Sequence, residues 1–191
     1  MPSTMRLLVI PGSTRREAWS KRLAAAAAQL AAPLAETTVV DLREHALPLY
    51  DGDLEQQGLP QQLGPLRTLV QQHDALLFAT PEYNASIPAV LKNALDWLSR
   101  PFGPEPGGAV FRGKVAGLLA SSPGALGGLR ALVHLRQVLM NLGLLVVTEQ
   151  FALGSAESAF AADGQLADPR QAAGVEKVVQ SVVRVATALR G

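Results

Sequence analysis

Three short stretches of the chain gather groups that could hold a ligand. Pro11-Gly12-Ser13-Thr14-Arg15-Arg16 offers backbone N–H groups, two hydroxyls and two guanidinium forks ahead of a predicted helix, a donor set suited to one phosphate. It matches neither G-x-G-x-x-G nor G-x-x-x-x-G-K-[ST], so the dinucleotide and P-loop fingerprints are absent. Alone, it reads equally well as a turn whose Ser and Thr cap the helix. Pro81-Glu82-Tyr83-Asn84-Ala85-Ser86-Ile87-Pro88 could set backbone groups, a Tyr and an Asn beside a planar heterocycle with donors and acceptors on its edge. In Ser121-Ser122-Pro123-Gly124-Ala125-Leu126-Gly127-Gly128, missing side chains would let a flat ring approach the backbone. Each stretch alone reads as a turn or a helix entry.

What brings them together is the order of the elements. Leu7–Ile10 is a short apolar run ended by Pro11-Gly12, as in a strand buried on both faces, and an Ala- and Leu-rich helix follows over Trp19–Leu30. The alternation recurs, with predicted strands at Thr37–Leu42, Ala75–Thr80, Lys114–Ala120 and Leu144–Thr148 and predicted helices at Pro88–Leu98 and Leu126–Asn141. Val175, Val178, Val179, Val182, Val183 and Ala186 lay an apolar stripe at helical spacing along a last helix. Such alternation predicts an α/β fold, a doubly wound five-stranded parallel sheet of order 2-1-3-4-5, in one domain over residues 1–191. Arg43–Gly58, Pro101–Gly113 and Glu149–Asp168 are expected to be irregular, with a turn or small hairpin at Asp163-Gly164. In this fold the loops after strands one, three and four converge at the carboxyl edge of the sheet, where ligands bind. These are the three stretches above.

Composition narrows the chemistry. There is no cysteine, which excludes disulfides, thiolate nucleophiles and cysteine-ligated metal or iron–sulfur centres, so redox work would need a bound cofactor. A net charge of +1 gives no reason to expect nucleic acid or an anionic membrane as partner. The opening Met1-Pro2-Ser3-Thr4-Met5-Arg6 and the short apolar run after it are too brief for a signal segment or a span, so a cytoplasmic location is expected. His45, His73 and His134 lack metal-ligand spacing and sit beside no nucleophile; for His134 a core or subunit contact is expected. Lys92, Asp96 and Arg100 have the spacing of an ion-pair ladder, and Tyr50 and Trp97 are expected to pack. No residue stands out as a catalytic acid, base or metal ligand.

Residues Pro81 to Arg100, running through Ile87-Pro88-Ala89-Val90-Leu91-Lys92-Asn93-Ala94-Leu95-Asp96-Trp97, resemble the signature of the NADPH-dependent FMN reductases of flavodoxin-like fold. Gly12-Ser13-Thr14-Arg15, Pro48-Leu49-Tyr50-Asp51 and Ser121-Ser122-Pro123-Gly124 with Gly127-Gly128 extend the resemblance over almost the whole chain. It implies an FMN-dependent oxidoreductase using NADPH, or NADH, to reduce a small acceptor such as a quinone, azo compound, metal oxyanion or flavin. It further implies that Ser13, Arg15 and Ser20 hold the FMN phosphate, that Pro81, Glu82, Tyr83 and Asn84 contact the isoalloxazine, and that Ser121, Ser122 and Gly124 line its other edge. Where relatives carry Ser-x-Asn, this chain has Ala18-Trp19-Ser20, a loss of about 1 kcal/mol per missing hydrogen bond to the phosphate. The alternative is a flavodoxin-type electron carrier with protein partners, against which the near-neutral charge and the loop arginines argue. A flavin-free scaffold is a third reading.

Two expectations concern the whole molecule. One crevice in so short a chain predicts ping-pong turnover, with both substrates sharing one pocket. Excess apolar surface on the Pro88–Leu98 and Leu126–Asn141 helices predicts a homodimer or homotetramer. On the second helix Leu129, Leu132, Val133 and Met140 are expected to face the sheet, leaving Leu135, Val138 and Leu139 for a partner.

Overall fold

The computed structural model describes residues 4–190; Met1 to Ser3, part of the signal-segment reading, and Gly191 lie outside it. Five parallel strands, β1 (Arg6–Pro11), β2 (Glu36–Val39), β3 (Ala75–Pro81), β4 (Val115–Ser121) and β5 (Leu145–Leu153), form one sheet in the order β2-β1-β3-β4-β5. The predicted class and strand order are both present. Six helices cover it: α1 (Trp19–Ala31), α2 (Gly52–Gln57), α3 (Leu63–Gln72), α4 (Ala89–Leu98), α5 (Leu129–Asn141) and α6 (Pro169–Arg190).

Alternate side chains of a strand point to opposite faces, so β1 feeds two cores. Leu7 and Val9 pack with Leu23, Ala24 and Ala27 of α1 and with Val175, Val178, Val179 and Val182 of α6. Leu8 and Ile10 pack on the other face with Leu66 and Val70 of α3, Leu91, Leu95 and Trp97 of α4, and Leu132, Leu135 and Leu139 of α5. β3 divides likewise, Leu77 to one core and Leu76 and Phe78 to the other, and all three are fully buried.

Several boundaries differ from the sequence reading, each for a local reason. β2 stops at Val39 rather than at residue 42, because the Asp41 carboxylate accepts the Arg43 N–H and turns the chain. α5 begins at Leu129, not Leu126, since Gly127 (φ +60°) and Gly128 (φ +90°) are left-handed. α2 occupies part of the stretch expected to be irregular, and α3, to which the sequence reading gives no element, buries Leu63, Leu66 and Val70. β5 runs on to Leu153 through a bulge: Ala116 pairs with Val146 and Leu118 with Gln150, so the strand contains more residues than its partner. Arg136 donates to the carbonyls of Val146 and Val147 at the start of the bulge, where Val147 has no partner in the register. The turn at Asp163-Gly164 does close a small hairpin, bridged by Phe160 and Leu166, with Gly164 at φ +83°.

The facing predicted for α5 is wrong. Ala131, Leu132, Leu135 and Leu139 are buried, whereas Leu129, Val133 and Met140 are exposed, at 44%, 59% and 59%. Three of the residues assigned to the sheet thus look outward, and two assigned to a partner form the core. The error is one of phase: α5 carries apolar residues on two faces, and the outer one, Leu129, Val133 and Met140, has the same helical spacing as the buried one.

Candidate functional site

The chain reverses its direction of progress across the sheet at β1 and β3, whose carboxyl ends flank the crevice where such sheets take ligands. The predicted loops after β1, β3 and β4 all leave from this edge, and their neighbours in the sheet are direct: Pro11 pairs with Ala79, and Pro81 with Ser121.

The first loop is laid against β3. The Gly12 N–H donates to the Ala79 carbonyl at 2.8 Å, and a Cβ at Gly12 would stand 3.0 Å from both the Thr80 hydroxyl and Leu91 Cδ2. A side chain here would push Thr80 and Leu91 aside by a few tenths of an ångström. Ser13 is buried and its hydroxyl accepts the Arg15 N–H at 3.2 Å. The Arg15 side chain is exposed and folds back to donate to the Glu17 carbonyl. α1 then opens at Ala18 with no side-chain cap and no acidic residue in its first turn, leaving the helix N-terminus available to an anion. Ser20, in that turn, is fully enclosed, and its hydroxyl has no hydrogen-bond partner among the described residues. Trp19 points elsewhere, stacked on Phe160 with centroids 6.3 Å apart and with Arg22 over both rings.

The second loop contains a tight turn. The Tyr83 N–H donates to the Ser86 carbonyl and the Ser86 N–H returns to Tyr83, at 2.9 and 3.0 Å. Asn84 (φ +49°) and Ala85 (φ +63°) occupy its two corners. Both corners are left-handed, which Asn tolerates and Ala resists by about 1 kcal/mol. Tyr83 is half exposed and Asn84 exposed, while Pro81 forms the last residue of β3.

The Glu82 carboxylate, on the loop expected to meet the ring, is engaged by α5. That group accepts the N–H of Arg130 at 3.1 Å and of Ala131 at 3.3 Å, and pairs with the Arg130 guanidinium. Glu82 thus caps α5 from another loop, a role the sequence concealed because α5 follows Gly127-Gly128 and has no capping residue of its own. Burial alone would raise the Glu82 pKa, but the Arg130 guanidinium and the two N–H donors outweigh it and hold it below the ordinary carboxylate value.

The third loop is fixed to the strand beside it. The Ser122 N–H donates to the Leu153 carbonyl, the Ser122 hydroxyl accepts the Gly124 N–H, and the Ser122 carbonyl accepts the Ala156 N–H. A Cβ at Gly127 would lie 2.6 Å from the Gly154 nitrogen, so the backbone segments touch with no room for a side chain. Ser121 is buried at the end of β4, and its hydroxyl, like that of Ser20, has no partner among the described residues.

The residues set aside resolve simply. His73 is buried with Nδ1 2.6 Å from the Leu69 carbonyl. His134 is exposed, which excludes the core role, and its Nδ1 lies 2.9 Å from the Ser86 hydroxyl. Lys92 pairs with Asp96, but Arg100 leaves the ladder to bond the Asp96 carbonyl and the Ser99 hydroxyl. Trp97 packs edge-on against Tyr50, 5.1 Å between centroids, as expected. It also donates to the Pro48 carbonyl, while Asn93 binds the Tyr50 N–H and the same carbonyl, so two residues of the α4 signature hold the Pro48–Tyr50 segment.

The chain is similar to known proteins over its full length. The NADPH-dependent FMN reductase family matches residues 5–158. An NAD(P)H-dependent FMN reductase of Pseudomonas aeruginosa is 36% identical over 192 residues, covering 100% of both chains. A quinone reductase of Pseudomonas putida is 35% identical over 170 residues, 88% of each chain. Among solved structures, the flavoenzyme NAD(P)H:(acceptor) oxidoreductase FerB of Paracoccus denitrificans superposes with a TM-score of 0.84 at 29% identity, covering 96% of this chain and 98% of that one. The crevice, its loops and these likenesses agree, and the chain belongs to the NADPH-dependent FMN reductase family, flavoprotein oxidoreductases that work with FMN and NAD(P)H.

Proposed function

We propose that this chain, as a single domain acting in the cytoplasm, holds FMN in the crevice between the three loops and uses NADPH or NADH to reduce a quinone or similar small acceptor by a ping-pong mechanism. The observation that carries this reading is the state of the polar groups at the sheet edge. The α1 N-terminus has no cap of its own, and the Ser20 and Ser121 hydroxyls are both buried without a partner among the described residues. Buried polar groups are nearly always paired in a completed structure, so such an edge fits a ligand with an anionic end and a hydrogen-bonding ring.

In this reading Ser13, Arg15 and the first N–H groups of α1, with Ser20 behind them, hold the phosphate. The α1 macrodipole and the Arg15 guanidinium favour a dianion. Pro81, Tyr83 and Asn84 border the isoalloxazine, and Glu82 contributes through its backbone only, since its carboxylate is committed to α5. Ser121, Ser122 and Gly124 border the opposite edge. Bound FMN supplies the two-electron store between nicotinamide nucleotide and acceptor. The protein supplies orientation and a rigid rim, and no side chain in the crevice is positioned as a proton donor. A single crevice bordered by Tyr83, Asn84 and the Ser121–Gly124 loop admits the two substrates one after the other, which supports alternate occupancy. Quinones are favoured as acceptors because proteins 35% identical to this chain carry that name.

The assignment is tested by fluorescence titration of FMN into the flavin-free protein and its Arg15→Ala variant. Loss of one charge-assisted hydrogen bond predicts a fall in affinity of about tenfold or more. Equal affinity in the two proteins would remove Arg15 from the phosphate site.

A further inference from the structure

The loop that bears Tyr83 and Asn84 is gripped at two points by one helix. Before the turn, the Glu82 carboxylate is bound by the first residues of α5. After it, the Ser86 hydroxyl meets Nδ1 of His134 at 2.9 Å. Arg130 and His134 are four residues apart and so share one face of α5, one turn separating them. Between the two grips lie Asn84 and Ala85, both left-handed. A turn with an alanine in that region relaxes unless its ends are fixed.

The two grips differ in kind. Glu82 is largely buried and completes a helix N-terminus, so it serves the fold as a whole. The His134 contact lies at the surface of the single chain, on a groove of about 810 Å³ between α4 and α5, and one hydrogen bond outside the core adds little to the stability of the fold. What it does fix is the exit of the turn, and hence where Asn84 stands. Small displacements of a group beside a reacting centre are costly to rate even when they cost the fold almost nothing.

We infer that His134 is a positioning residue for the reaction, acting through Ser86 to hold the Tyr83–Ser86 turn against the crevice. This rests on the reading that Tyr83 and Asn84 border the flavin. It gives α5 a purpose beyond covering the sheet, since its first two turns splint the loop on which the ring is proposed to rest.

The test compares His134→Ala, Ser86→Ala, the double variant, His134→Asn and His134→Gln with the parent. In the flavin-free proteins, hydrogen exchange at the Tyr83 and Ser86 amides should rise about fivefold in both alanine variants, as expected for loss of one ordinary hydrogen bond, with melting temperature within about 2 °C of the parent. In the FMN-loaded proteins, anaerobic reduction by NADPH should slow by a similar factor, and the visible circular dichroism of the flavin should change. The double variant should be no worse than either single one, since both remove the same contact. His134→Asn, which places an amide near the position of Nδ1, should restore most of the rate; His134→Gln, whose amide lies one bond farther out, should not. Parent-like exchange and spectra in His134→Ala, or additive effects in the double variant, would overturn the inference. Asn84→Ala is the control for the site itself. If it alters the flavin spectrum and His134→Ala does not, only the positioning role fails; if neither does, the crevice assignment fails with it.

Discussion

At the scale of single residues, Ser13 lies on the loop after β1, Asn84 at a corner of the turn after β3, and Ser121 at the end of β4. Glu82 carries the right charge for a ligand contact but spends it on the N-terminus of α5, and nothing in the residue order signals that two distant segments meet there. Ser20 is fully buried, with its hydroxyl unpartnered among the described residues. A residue far from the crevice shows the same dependence on partners. Glu149, on the bulge of β5, accepts a hydrogen bond from the Ser181 hydroxyl at 2.7 Å, and its pKa is lowered to about 2, chiefly by that bond. A carboxylate whose pKa is depressed on folding stabilises the protein fully above its unfolded value and loses that contribution as pH falls through the folded one. The contact should therefore hold at pH 5 and weaken between about pH 4.5 and 2. Carboxyl NMR titration of Ser181→Ala should show Glu149 moving back toward the ordinary glutamate value of 4.5. An unmoved titration would mean that the hydroxyl is not the cause.

At the scale of elements, the strands were the most legible part, because strands buried on both faces read as uninterrupted apolar runs. All five begin within one residue of the expected start, while β2 ends earlier and β5 later than expected. Helices that open with glycine, or whose stripe is diluted by polar residues, were harder. α3 buries Leu63, Leu66 and Val70, with Leu69 half-buried, in a stretch broken by Gly64, Pro65, Arg67 and Thr68, and that arginine is itself buried. Arg67 lies 1% exposed, donating to the Leu98 carbonyl, pairing with Glu105 and facing the Phe102 ring, an arrangement that composition argues against until the loop over it is known. The cap on α5 gives a prediction at this level. Glu82→Ala should destabilise the protein by about 1–2 kcal/mol, as loss of a helix cap does, lowering the chemical-denaturation midpoint without changing its slope. The parent should approach the variant as pH falls below the depressed pKa of Glu82, where the cap is protonated. Stability equal to the parent at neutral pH would refute the cap.

At the scale of the whole molecule, the three-layer arrangement follows from strands that feed two cores, and it leaves α5 with an apolar outer face. Leu126, Leu129, Val133 and Met140 are each between 44% and 59% exposed. A surface of this kind is expected to be covered, and a homodimer or homotetramer through α4 and α5 remains the proposal, now with the exposed residues identified by structure rather than by phase. Val133→Glu should give a smaller species than the parent in light scattering at micromolar concentration; a parent that is already monomeric would count against the proposal.

Whether one crevice serves both halves of the reaction is decided by anaerobic stopped-flow absorbance. NADPH alone should bleach the bound FMN, and a quinone, added after the nucleotide has been removed, should restore the absorbance without any further nucleotide. A flavin that NADPH cannot bleach, as in an electron carrier fed by protein partners, or one reduced only when nucleotide and quinone are present together, would contradict the shared-crevice mechanism.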